Sequence, residues 1–164
     1  MFTRKRYRDI VLESLRYCQR HKGLHVNAYV VMSNHLHLVV WAEEKSKVRL
    51  SNIIRDFKRY TANQIYQAIQ EEPESRREWL LYLFRYFARK HHPNQHFHFW
   101  QNDNHPIRLW SSKVTLQKLT YLHKNPVRAG LVEHPASYWY SSARNYSGLP
   151  GLLDVELLDI AYQV

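Results

Sequence analysis

Two histidines two residues apart, His35 and His37, sit in a run that continues through Leu36, Leu38, Val39 and Val40. In an extended chain alternate side chains share a face. The two imidazoles therefore point one way, while Leu36, Leu38 and Val40 point into the opposite layer. Two neutral imidazoles on one rigid face can grip a divalent metal ion. Such an ion is useful only beside a reacting partner, and the segment Tyr121-Leu122-His123-Lys124-Asn125-Pro126-Val127 offers one. Tyr121 and Asn125 share a face at helical spacing, so Asn125 is a candidate third ligand and Tyr121 a phenol able to act as nucleophile. An ordinary phenol titrates near 10 and needs help to attack at neutral pH.

The elements that must position these groups are legible in the periodicity. Residues 3–21 repeat apolar positions at three-four spacing through Tyr7, Ile10, Val11, Ser14, Leu15 and Cys18, which predicts an amphipathic helix stopped near Gly23. Residues 25–32 and 35–41 predict two strands around a tight turn at Ser33 and Asn34. After a polar loop at 43–47, a long helix over 48–70 buries Leu50, Ile53, Ile54, Phe57, Thr61, Ile65 and Ala68. Its other face carries Arg55, Lys58 and Arg59, a basic patch that is either solvated or a rail for phosphates. Pro73 ends that segment. Ser75 and Glu78 have capping-box spacing and open a helix over 76–90 carrying Trp79, Leu80, Leu83, Phe84 and Phe87.

An irregular stretch over 91–104 holds His91, His92, His96 and His98. The pair His96 and His98 repeats the first spacing without an apolar run around it, which favours surface or DNA-facing histidines over a second metal site. Phe99-Trp100-Gln101 and residues 106–110 suggest one more strand or extended segment near the sheet. Ser111 or Ser112 caps a final helix reaching Lys124, with Leu116, Leu119 and His123 on one side and Gln117, Tyr121 and Asn125 on the other. Pro126 is expected to end it and leave Asn125 at the terminus, with Gly130 closing the turn. Residues 138–146 are aromatic and polar, suited to a packing strap or to base stacking.

The 164 residues predict a single domain, and 45% hydrophobic content suffices for a core. The net charge of +10 on an aromatic-rich chain points to a polyanionic partner, nucleic acid before membrane. No apolar run is long enough to span a bilayer and no secretory pattern is present, so a cytoplasmic location is expected. Cys18 is the lone cysteine, which excludes an internal disulfide and a multi-cysteine zinc site and suits a small core side chain.

Several motifs in order resemble one family. Asn34-His35-Leu36-His37, Phe99-Trp100-Gln101 with His105 after it, Tyr121 four before Asn125, Asn125-Pro126-Val127-Arg128-Ala129-Gly130, and Trp139-Tyr140-Ser141-Ser142 together resemble the single-tyrosine HUH transposases. Among these the likeness is to the REP-associated tyrosine transposases of bacteria. The resemblance implies an α+β fold: a ferredoxin-like sandwich with an antiparallel sheet and helices packed on its faces. It also implies metal ligands at His35, His37 and Asn125, a nucleophile at Tyr121, Mg²⁺ or Mn²⁺ as cofactor, and single-stranded or hairpin DNA as partner. Arg55, Lys58, Arg59, Lys118 and Arg128 are the expected phosphate contacts, and the protein is expected to act as a monomer or homodimer. Family members usually begin with a strand ahead of the first helix, whereas this sequence opens directly on the helix, which predicts a sheet one strand short. Two other functions fit the same charge: a hairpin-binding protein without catalysis, and a metal phosphodiesterase that uses water.

Overall fold

The computed structural model describes residues 2–43, 48–91, 96–101 and 104–160. They form an α+β fold in chain order: α1 (Lys5–Lys22), β1 (Leu24–Val31), β2 (Leu36–Ala42), α2 (Leu50–Glu71), α3 (Arg77–His91), α4 (Ser112–Arg128), a 3₁₀ turn at Pro135–Ser137 and a short α5 (Ala143–Tyr146). The chain divides into two compact units, residues 1–53 with 107–164 and residues 54–106.

In the first unit, α1 buries the expected stripe from Tyr7 to Cys18 and ends at Gly23, whose φ of 66° needs no Cβ to be accommodated. β1 and β2 pair antiparallel, with Val30 opposite His37 and a register shift between Val26 and Ala28. From Val26 to Val31 every β1 residue is buried, as a strand covered on both faces requires, and both α1 and α4 pack against it. β2 is different. Leu36, Leu38 and Val40 are half-buried, because β2 forms one edge of the two-stranded sheet.

The other edge of β1 is filled from far along the sequence. Val31 N–H donates to Tyr140 O at 2.9 Å, Ser142 N–H donates to Tyr29 O at 2.9 Å, and Val30 bridges Ser141. Further along, Glu156 N–H donates to Val26 O and Asn27 Nδ2 donates to Glu156 O. Tyr138 Oη adds a bond to Val31 O and Tyr140 Oη one to Asp9. Residues 138–146 are thus the packing strap of the two sequence readings.

Ser142 also anchors α4. Its Oγ accepts from Tyr29 N–H at 2.9 Å and lies 2.8 Å from His123 Nε2. His123 is fully buried, and burial pushes its imidazole down to about 4. The folded protein therefore binds fewer protons than the unfolded chain between about 6.5 and 4, so stability from this group is intact above 6.5 and is lost as pH falls through that window. The loss should approach about 3 kcal/mol. Chemical denaturation from pH 7.5 to 4 should show that extra loss in the parent relative to His123→Gln, whose amide cannot titrate. Parallel pH profiles would remove His123 from the acid sensitivity.

In the second unit, the buried side chains include Phe57, Ile65, Ala68 and Ile69 of α2, Leu80, Phe84 and Ala88 of α3, and Phe99. Leu50 and Ile54 of the expected stripe are only half-buried. Arg77 ties α3 to the end of α2, donating from Nε to Ile69 O and from Nη2 to Glu72 O. α3 starts one residue later than expected, which moves the N-cap from Ser75 to Arg76; the Glu74 carboxylate accepts from Arg76 N–H instead of a Ser75 capping box. Leu80, Phe84 and Ala88 set its buried stripe, so Trp79 and Phe87, expected as core, rotate outward. No strand forms at 99–101 or 106–110. Phe99 packs on Phe84 and Trp100 Nε1 donates to Thr61 Oγ1 at 3.1 Å, so this segment is held by side chains rather than by a ladder.

Candidate active site

His37 lies on β2 and His35 immediately before it, where Met32 N–H donates to His35 O and holds the turn. The imidazole centroids are 4.8 Å apart at 69°. Burial lowers the pKa of both rings below the usual histidine value, and for His37 the neighbouring His35 charge adds to the effect. Both are therefore neutral at pH 7, the form a metal requires.

α4 brings the other groups to this face. Its buried side is Leu119, Leu122, His123 and Pro126, while Leu116, expected in that stripe, is 36% exposed. Ser111 caps the helix by accepting from Val114 N–H. Pro126 does not end it. α4 runs on to Arg128 because the donor that proline lacks is supplied locally: Asn125 Nδ2 reaches Leu122 O at 3.5 Å and Tyr121 O at 3.0 Å. The helix closes beyond it, with Leu131 N–H on Pro126 O and Gly130 at φ 67°. Asn125 thus sits inside the last turn rather than at a free terminus.

With Asn125 Nδ2 turned to the helix carbonyls, Oδ1 is the atom left to face His35, beside which the Asn125 side chain lies. On its other side, His35 Nδ1 lies 2.7 Å from Asn34 Oδ1. Two amide oxygens flank one imidazole, yet a neutral ring carries a single N–H. If Nδ1–H serves Asn34, a ring lone pair and the Asn125 oxygen face each other, which suits a cation. Asn34 went unremarked as an orienting group in the sequence reading, although an amide beside a ligating histidine is the signal that could have found it. Among the described residues no three His, Cys, Asp or Glu side chains converge on a metal site. The donors this face offers are two imidazoles and an amide oxygen.

Tyr121 is 46% exposed beside them. His37 meets its ring edge-on, with centroids 5.7 Å apart, and the Arg128 guanidinium lies 4.9 Å from the ring centre. Lys118, half-buried, shares this helical face at three residues from Tyr121. The structure thus brings His35, His37, Tyr121 and Asn125 together, with Arg128 and Lys118 alongside.

The remaining candidates lie in the second unit. Lys58 is bound into it, donating to Gln101 O at 2.6 Å and to Asn104 Oδ1 at 3.0 Å. Arg55 and Arg59 are exposed, each within ion-pair range of Asp56. His96 is exposed and His98 half-buried, while His92 falls outside the described residues.

Residues 1–96 match the family described as Transposase IS200 like. No curated protein and no solved structure matches the chain. The matched span contains the histidine pair and stops short of Tyr121 and Asn125. No helix among the described residues is long and apolar enough to cross a membrane.

Proposed function

Because the chain belongs to the IS200-like transposase family, proteins of DNA cleavage and transposition, we propose that it cuts and rejoins single-stranded DNA near hairpins through a tyrosine nucleophile. The observation that carries this reading is the meeting of the Tyr121 ring with His37, beside His35 and Asn125. His35, His37 and Asn125 would hold a divalent ion, Mg²⁺ or Mn²⁺, which when bound polarises the scissile phosphate and orients it for in-line attack. Arg128 and Lys118 stand where they can neutralise the flanking phosphates.

Tyr121 oxygen attacks phosphorus, the bond from phosphorus to the 3′-oxygen breaks, and the strand leaves with a 3′-hydroxyl. The half-exposed phenol can give its proton to solvent, which returns one to the departing oxygen. One phosphodiester has replaced another, so a later 3′-hydroxyl can reverse the step without ATP. A cytoplasmic location goes with such a substrate.

Incubation with a hairpin-bearing oligonucleotide labelled on the 3′ side of the cut tests the reading. That label should travel with the protein on a denaturing gel, whereas a 5′-side label should run as a shorter free strand. Transfer of the 5′-side label would refute the geometry. A second reading, a hairpin-binding protein without the covalent step, is favoured by the family match ending ahead of Tyr121. It expects binding and no adduct with either label.

A further inference from the structure

The second unit carries a surface that the proposed chemistry does not use. Opposite the buried stripe of α3, Trp79, Tyr82 and Tyr86 are exposed by 57%, 64% and 48%. Large rings gathered on one solvent-facing helix mark an interaction surface. Tyr82 and Tyr86 lie nearly parallel, at 24° with centroids 6.3 Å apart. They line a groove of about 350 Å³ with Glu78, Arg85 and Arg89. These side chains follow three-four spacing, so rings and guanidinium groups share one face of the helix.

We propose that this face of α3 is a stacking site for single-stranded DNA, with bases against Tyr82 and Tyr86 and phosphates against Arg85 and Arg89. The proposal rests on the reading of the chain as a DNA-acting protein and adds a binding surface to it. Single strands are favoured because a duplex spends its base faces on its own stack, whereas unpaired bases offer theirs to aromatic side chains. A polyanion is favoured over a second copy of the chain, because a two-fold contact would bring two copies of the same basic patch together. Glu78 alone does not balance them.

Oligothymidylate labelled with fluorescein is the probe, since it forms no hairpin and reports stacking and charge alone. Tyr82→Ala with Tyr86→Ala should weaken its binding about tenfold or more, while Phe at both positions should stay within about twofold. Arg85→Gln with Arg89→Gln should flatten the slope of log affinity against log salt by about 1.4. All four positions changed are exposed side chains of one helix face, and circular dichroism checks that α3 persists. Unchanged affinity in the alanine pair together with an unchanged salt slope in the glutamine pair would overturn the proposal. So would sedimentation showing a parent dimer that the alanine pair dissolves without any change in oligothymidylate binding. Adduct formation on the hairpin substrate is read in parallel. An adduct with unaffected oligothymidylate binding sinks this inference alone, whereas a loss of that binding without any adduct in the parent sinks only the cutting mechanism.

Discussion

Tyr121→Phe is expected to lower formation of the protein–DNA adduct by about a thousandfold or more, while hairpin affinity stays within about twofold. The substitution removes one oxygen. The ring contacts with His37 and Arg128 involve the aromatic faces and edges, so a phenylalanine keeps them. Among the described residues the hydroxyl has no hydrogen-bond partner whose loss would unsettle α4. Melting temperature should therefore be unchanged, which separates a chemical defect from a folding one. The readout is the adduct band from a 3′-side label. A band of undiminished intensity would transfer the nucleophile to another tyrosine, with Tyr60 on α2, 56% exposed, the first to test.

His35→Ala and His37→Ala are expected to reduce cleavage by more than about a hundredfold each, since removal of even an orienting partner of a metal ligand typically costs ten- to a hundredfold. Asn34→Ala should show that smaller loss and recover with excess Mn²⁺, because the ligand itself remains. Hairpin binding should persist in all three, as phosphate contacts from Lys and Arg supply most of the affinity. Cleavage assays at several metal concentrations and in excess chelator decide the matter. Undiminished cutting in chelator would end the metal role of the histidine pair.

What could be read from sequence was whatever obeys a local period. The alternation of His35 and His37 and the helical spacing of Tyr121 and Asn125 state which side chains share a face before any fold is known, and the structure brings those four groups together. The misreadings arise where a particular partner, rather than a period, decides. Proline is a helix breaker by rule, yet Asn125 lends Leu122 the missing donor and α4 continues. Trp100 has the composition of a strand residue, but its indole finds Thr61, 39 positions earlier. Lys58 looks like part of a free basic patch from its spacing on α2, while its ammonium is engaged by residues 43 and 46 positions later. Trp79 and Phe87 looked like core because nothing in a single helix reveals that Ala88, a small residue, marks the inward side.

The closure of β1 by residues 140–156 also sets how late in synthesis the fold can be completed. Pairing Tyr29 with Ser142 joins positions 113 apart, and such long-range contacts form late because their loop entropy must be met before any stabilisation returns. A chain released from the ribosome only as far as Arg128 already contains His35, His37, Tyr121 and Asn125, but not the serine beside His123. The hydroxyl that ties the tyrosine-bearing helix to β1 arrives only when most of this sequence has been synthesised.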